Sequence, residues 1–279
     1  MEDVSAQKII IVCLEGCHGC GKTSLSDEFE ARGYRVLDEA FMDMPSYALP
    51  PQSLLMETSW VCSWFERVLR LARKVRHDKS MTPRPHVYIA DRSPFSAVFY
   101  AQHGRLLEPV IREQMREVEQ FSNVQFYTVN LSVEPELLWS RILERLEREP
   151  ERVRFNEHKR SWMDQTLDFY DTFNWDLTIR NGEDSIASVA DNIVEVLCDR
   201  DPAFRLAHAM RKTERSLLDS SYASTDSDEE VPEIDDDSMS CKSNNGSIAS
   251  IVSPVAKSAS VVKEETLSII SFNNCDFDF

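Results

Sequence analysis

Eight residues constrain this chain more than any others. Gly16-Cys17-His18-Gly19-Cys20-Gly21-Lys22-Thr23 fit G-x-x-x-x-G-K-[ST], the phosphate-binding loop. Before them run Lys8, four apolar residues (Ile9, Ile10, Ile11, Val12) and Cys13-Leu14-Glu15. That reads as a strand buried on both faces, which suits a parallel sheet. After them Ser24 and Leu25 open a helix. Gly16, Gly19 and Gly21 allow a turn tight enough for successive N–H groups to point at phosphate oxygens. Lys22 brings a compact positive charge to the β- and γ-phosphates, and the Thr23 hydroxyl suits Mg²⁺. The helix adds its positive dipole end. The predicted nucleotide-binding set is therefore Gly16, Cys17, His18, Gly19, Cys20, Gly21, Lys22, Thr23 and Ser24. The bland alternative is a chance Gly-rich turn, and the flanking strand and helix argue against it. The loop says that a triphosphate is gripped, and nothing about the fate of its γ-phosphate.

The rest of the first two hundred residues alternates strand and helix patterns. Ser24–Arg32 reads as a short helix ended by Gly33, and Tyr34–Leu37 as a second strand delivering Asp38 and Glu39. Met42–Gln52 carries three prolines and reads as a loop. Ser53–Lys79 reads as a long helix, aromatic at its start (Trp60, Trp64, Phe65), basic at its end and broken by Thr82–Pro85. His86–Ala90 is a third strand with Asp91-Arg92-Ser93 at its carboxyl end, and Pro94 suits the first position of the next helix. Further helices are predicted over Leu107–Phe121, Glu134–Glu149, about Asn156–Phe173 and Ser185–Cys198, with strands at Val124–Leu131 and Asp176–Ile179. The order predicts an α/β three-layer sandwich: a five-stranded parallel sheet between helices, joined by right-handed crossovers, with a disordered C-terminal tail.

Composition divides the 279 residues at about position 212. From Thr213 onward there are 14 acidic and 4 basic residues in a Ser- and Asn-rich stretch without periodicity. We expect one domain over 1–212 and an acidic disordered tail over 213–279. Two weak apolar islands, Ile248–Val252 and Leu267–Phe272, could dock on an unidentified protein, and Ser227 precedes acids that suit acid-directed phosphorylation. A net charge of −17 argues against a general nucleic-acid surface. No apolar run approaches a membrane span, and the acidic start lacks the marks of a targeting peptide, so the expected location is the cytoplasm, with the nucleus open. Seven scattered cysteines fit reduced thiols. Cys17 and Cys20 form C-x-x-C within the loop, either as a redox switch or as occupants of its variable positions; a zinc site has no second C-x-x-C to complete it.

Four pieces give the stretch from Lys8 to Asp199 a likeness to a known family. They are Leu14-Glu15-Gly16 through Thr23, Val36-Leu37-Asp38-Glu39, Asp91-Arg92-Ser93 with Ser96, and Arg141-Ile142 with Arg145. Together they resemble the deoxynucleoside kinases, with the thymidylate kinases as close relatives in fold. The resemblance implies that ATP and Mg²⁺ are bound and that the γ-phosphate passes to the 5′-hydroxyl of a nucleoside. It implies Glu39 as base, Arg92 bridging Glu39 and the reacting oxygens, and Asp91 as a Mg²⁺ ligand with Thr23. Arg141, Arg145 and Arg148, on one helical face, would clamp the phosphoryl group together with Lys22. It further implies a homodimer.

The chain departs from the family in places. Glu66 stands nearest to a family Gln that reads the base. Phe99 and Tyr100 are the candidates for stacking the base, with Trp60 as a further pocket wall. Glu147 holds the place of a third lid arginine. The alternatives are a thymidylate-type kinase acting on nucleoside monophosphates and a non-catalytic ATP-binding regulatory module. A carboxylate at Glu39 favours an uncharged acceptor.

Overall fold

In the computed structural model the run before the phosphate loop is β1 (Ile9–Glu15), and all seven of its residues are buried. It is the middle of a five-stranded, all-parallel sheet in the order β2-β3-β1-β4-β5, with β2 Arg35–Leu37, β3 His86–Asp91, β4 Val124–Ser132 and β5 Leu177–Arg180. The structure describes residues 7–39, 49–50, 52–77 and 84–223. Most of the expected 42–52 loop, with Pro45 and Pro51, the last residues of the helix predicted to Lys79, the start of the break at Thr82, and Ser227 with both apolar islands lie outside them. Backbone packing divides the chain into residues 1–227 and 228–279, and the second unit falls wholly outside the described residues.

The isoleucine-rich run feeds two cores because side chains alternate across a strand. Ile9, Ile11 and Cys13 join a cluster on one face with Trp60, Trp64, Phe65, Phe95, Phe126, Phe169 and Tyr170. This layer comes from α2 (Leu54–His77), α3 (Ser96–Tyr100), α4 (Leu107–Ser122) and α6 (Arg160–Thr172). Ile10, Val12 and Leu14 meet Leu25, Phe29, Val189, Ile193, Leu197 and Phe204 on the other face. That layer comes from α1 (Lys22–Ala31), α7 (Ile186–Arg200) and α8 (Pro202–Ala223). With Ile11 fully buried, truncation to alanine costs about 2–5 kcal/mol.

Local signals fix where elements stop. α1 ends in a Schellman turn. Gly33, at φ 82°, donates to Glu30, Tyr34 donates to Phe29, and the Phe29 and Tyr34 rings meet edge-on at 5.2 Å. α5 (Pro135–Arg148) begins with Pro135, capped by the Glu134 carboxylate, which accepts from the N–H groups of Glu136 and Leu137. Pro94 stands in a turn two residues ahead of α3 rather than at its first position. α8 runs past the expected boundary at Lys212 to Ala223. Near its middle, Arg211 lies 3.8 Å above the Tyr34 ring and His208 contacts the Tyr34 hydroxyl at 2.7 Å, so α8 docks on the start of β2. Among the described residues no helix is long and apolar enough to cross a membrane.

Candidate active site

Every strand of the sheet ends at the same edge. That edge gathers Glu15 and the loop from β1, Asp38 and Glu39 after β2, Asp91 and Arg92 from β3, and Asn181 after β5. In open parallel sheets this is where ligands bind, beside the strand at which the connections change direction. β1 holds that place here, between β3 and β4.

The loop requires its glycines. A Cβ at Gly16 would lie 2.7 Å from Cys20 Sγ and 2.9 Å from the Leu131 carbonyl, and one at Gly21 would lie 2.7 Å from Asn181 Nδ2, both at positive φ. Lys22 is buried, and its Nζ donates to the carbonyls of Gly16 (2.7 Å) and Cys17 (3.0 Å). Asn181 donates to the Cys20 carbonyl at 2.7 Å, tying β5 to the loop. Thr23 and Ser24 stand exposed on the first turn of α1. Cys17 and Cys20 are each 1% exposed, and burial, followed by Cys20, pushes the Cys17 thiol up, so it keeps its proton.

Behind the loop lies a carboxylate with four hydrogen-bonding groups around it. Glu15, fully buried, accepts from the backbone N–H of Ser93 (2.7 Å), the Ser93 hydroxyl (2.6 Å), the Ser96 hydroxyl (2.9 Å) and the Tyr170 hydroxyl (3.0 Å). It fixes the turn that begins at Arg92. Arg92 sits at φ 72°, a left-handed conformation that costs a non-glycine residue about 1–3 kcal/mol, and its N–H extends the ladder to the Leu14 carbonyl at 3.0 Å. Strain of this kind collects at functional sites. The guanidinium lies over the Tyr100 ring at 5.2 Å, and NH1 reaches the Ser96 and Tyr170 hydroxyls at 3.4 Å each. Burial works against its charge, and Tyr100, Glu39, Tyr170 and Glu15 more than offset that, holding it firmly cationic.

The structure brings Glu39 to this arginine. Arg92 Nε lies 3.0 Å from Glu39 Oε1, at a distance for an ion pair but without the alignment of a hydrogen bond. The Glu39 side chain is 42% exposed and open to solvent. Trp60 is buried and donates its Nε1–H to the Glu39 carbonyl at 3.1 Å, so it positions the Glu39 backbone. One turn earlier on α2 stands Glu57, 3% exposed, facing Glu39 and Arg92; burial first, then the Glu39 charge, push its carboxyl up to about 8.

Phe99 stacks within 5.2 Å of both Trp162 and Phe169 and meets Tyr100 at 5.0 Å, forming an aromatic wall next to Arg92. Glu66 is not brought to the site. It is exposed on the outer side of α2, where it pairs with Arg70 at 2.7 Å, because its position falls off the buried stripe Trp60–Trp64–Val68.

Asp91 and Thr23 do meet: Thr23 Oγ1 donates to Asp91 Oδ2 at 3.5 Å, while Asp91 Oδ1 is buried without a hydrogen-bond partner. Burial raises the Asp91 carboxyl, with Lys22 and Arg92 pulling the other way. An orphaned carboxylate oxygen beside a hydroxyl is a donor set that fits Mg²⁺, which keeps water and phosphate as its other ligands. Among the described residues no group of three or more His, Cys, Asp or Glu is arranged to hold a metal alone.

The three lid arginines separate. Arg141 NH1 donates to the Asn181 carbonyl at 3.2 Å and NH2 to that of Gly182, so it fastens α5 to the β5–α7 turn and leaves the loop. Arg148 is exposed, its Nε 3.4 Å from a carbonyl of its own helix. Arg145 pairs with Glu149 at 3.4 Å and also carries its charge toward His18 in the loop. Its companion there is Arg152, in the 3₁₀ turn after α5, paired with Glu149 and with the buried Glu157. Helical spacing on α5 could not reveal Arg152, because the helix ends before it. Glu15, Glu57, Asn181, Tyr170 and Arg152 were not read as site residues from the sequence. Of these, Glu15 alone carried a signal, its place directly before the loop.

A family model described as an AAA domain matches residues 11–178, from within β1 to β5. No curated protein matches the chain. Among solved structures, a deoxyadenosine kinase of M. mycoides with dCMP and a flexible dCDP bound aligns at a TM-score of 0.42 and 14% identity, covering 68% of this chain and 100% of that one. The span of the family model includes the loop, Glu39, Asp91 and Arg92, on a five-stranded parallel sheet. The chain belongs to the AAA-domain family of P-loop proteins.

Proposed function

We propose that this protein transfers the γ-phosphoryl group of ATP to the 5′-hydroxyl of a nucleoside. One observation carries the reading: a solvent-reached carboxylate, Glu39, held 3.0 Å from the largely buried Arg92 at the strand edge that holds the phosphate loop. Glu39 takes the proton of the acceptor hydroxyl as its oxygen forms the bond to the γ-phosphorus. The bond to the β–γ bridging oxygen breaks, and ADP leaves with that electron pair. Arg92, Lys22 and Arg145 neutralise charge on the transferring group. Thr23 and Asp91 would hold Mg²⁺, which screens the phosphates from one another. Loop amides from Gly16 to Ser24 grip the donor, and Phe99 and Tyr100 wall the acceptor.

The charge inventory favours an uncharged acceptor. Beside Arg92 the acceptor end offers Glu39 and Glu57, and Arg67, the nearest outer cation on α2, is engaged by Asp38 at 3.1 Å. A monophosphate would meet two carboxyl groups where it needs cations. The test is to incubate the protein with MgATP and a panel of nucleosides and nucleoside monophosphates, and to identify products by mass. Nucleoside monophosphates are expected. Diphosphates would replace the reading with a nucleotide kinase, and ATP binding without transfer to either acceptor class would end it.

A further inference from the structure

His18 occupies a position of the loop that its sequence pattern leaves free, yet it is buried like a core residue, at 5% exposure. Its Nδ1 lies 3.5 Å from Cys17 Sγ, and its Nε2 is buried with no hydrogen-bond partner. A buried polar atom without a partner is costly, so such an atom in a ligand-binding loop calls for an explanation. Four charges face this imidazole from four elements: Lys22 of α1, Arg92 after β3, Arg145 of α5 and Arg152 of the turn after α5. These are the cations gathered for phosphate.

We propose that His18 is a further donor to the transferred phosphoryl group, as a neutral imidazole whose Nε2–H is set by the Cys17 thiol. The proposal rests on the phosphoryl-transfer reading above. Sulfur accepts hydrogen bonds poorly, and the Cys17 thiol holds its proton, so S–H donates to Nδ1 and leaves the ring hydrogen on Nε2. Burial, and then the four cations, push the imidazole down to about 3, so it stays uncharged at neutral pH. A fifth cation would repel the other four, whereas a neutral N–H adds a directed donor without that cost. Cys17 is then a positioning residue, and its place in C-x-x-C needs no redox chemistry.

The experiment is a ¹H–¹⁵N imidazole spectrum of ¹⁵N-histidine-labelled protein at about pH 7, with and without MgATP. His18→Gln assigns the His18 signals among those of the six histidines. The expected result is an unprotonated Nδ1, a protonated Nε2, and movement of the Nε2–H signal when MgATP is added. Cys17→Ala should give a mixture of tautomers and Cys17→Ser should restore the single one. An imidazolium, an Nδ1–H tautomer, or a tautomer indifferent to Cys17→Ala overturns the proposal. MgATP that binds by calorimetry without moving the His18 signals overturns it alone. Failure of the wild type to bind MgATP overturns it together with the reading of the loop.

Discussion

The two ends of this site are built differently. Behind the phosphate loop, the buried Glu15 carboxylate takes hydrogen bonds from Ser93, Ser96 and Tyr170, and the backbone of Arg92 is held in a strained conformation. On the lid, Arg145, Arg148 and Arg152 pair with neighbours on their own segment, in contact with water. Breaking one bond of the first kind strands a buried charge, while exposed ion pairs are worth about 0.2–1 kcal/mol and exchange freely. The proposed phosphoryl transfer would need both. The base and the loop must be in register before ligands arrive, and the lid must let go of its own glutamates to take hold of phosphate.

That contrast is broken most directly at Glu15. Glu15→Ala is expected to cost about 3–5 kcal/mol of stability by urea denaturation, because three hydroxyls and a backbone N–H lose their common acceptor. A loss below about 1 kcal/mol would mean that this end is no more rigid than the lid. Next in size is Glu39→Gln. Turnover should fall at least ~100-fold while MgATP affinity stays within about twofold, since the amide keeps the shape of the base without its proton affinity. A parallel fall in MgATP affinity would place Glu39 on the donor instead.

The same contrast explains what could be read from the sequence. The loop, β1 and its flanking elements were legible because the backbone imposes them: glycines where a Cβ would strike Cys20 or Asn181, and apolar residues where a strand is covered on both faces. Glu39 and Arg92 were legible because strand ends deliver them to one edge. Glu66 lies apart from Glu39 because neighbours on a helix differ in direction by about 100°, and Trp60 and Glu57 take the side that faces Glu39. The lid misled because a shared helical face says nothing of what each arginine meets. Arg141 finds the carbonyls after β5, and Arg152 belongs to the next turn. Glu15 makes bonds spanning as many as 155 residues, which local patterns do not encode.

Glu57 sharpens the comparison from the acceptor side. Its carboxyl titrates at about 8 in the fold against 4.5 for an exposed glutamate. Between those pH values the native state keeps a proton that the unfolded chain has released, so wild-type stability falls as pH rises through the window and levels off above about 8. Glu57→Gln removes that dependence. Its stability relative to wild type should rise by about 2 kcal/mol or more from about pH 4.5 to 8, measured by urea denaturation at several pH values. An unchanged difference across the window would show Glu57 ionised in the fold, with a carboxylate pair beside Arg92.

The smallest effects belong to the lid, and their inequality is informative. Arg145→Ala should lower kcat about tenfold, since its charge joins those of Lys22, Arg92 and Arg152 around the loop. Arg148→Ala should change kcat by less than about twofold, because an exposed guanidinium resting on its own helix loses little when removed. Arg141→Ala should act differently from both. It frees α5 from the Asn181–Gly182 turn, so the MgATP KM should rise more than kcat falls. Equal effects from all three would restore the picture of one arginine face clamping phosphate. Unequal effects in this order would mean that, of the three, Arg145 alone acts through a charge that reaches the loop, and that Arg141 acts by holding α5 to the turn after β5.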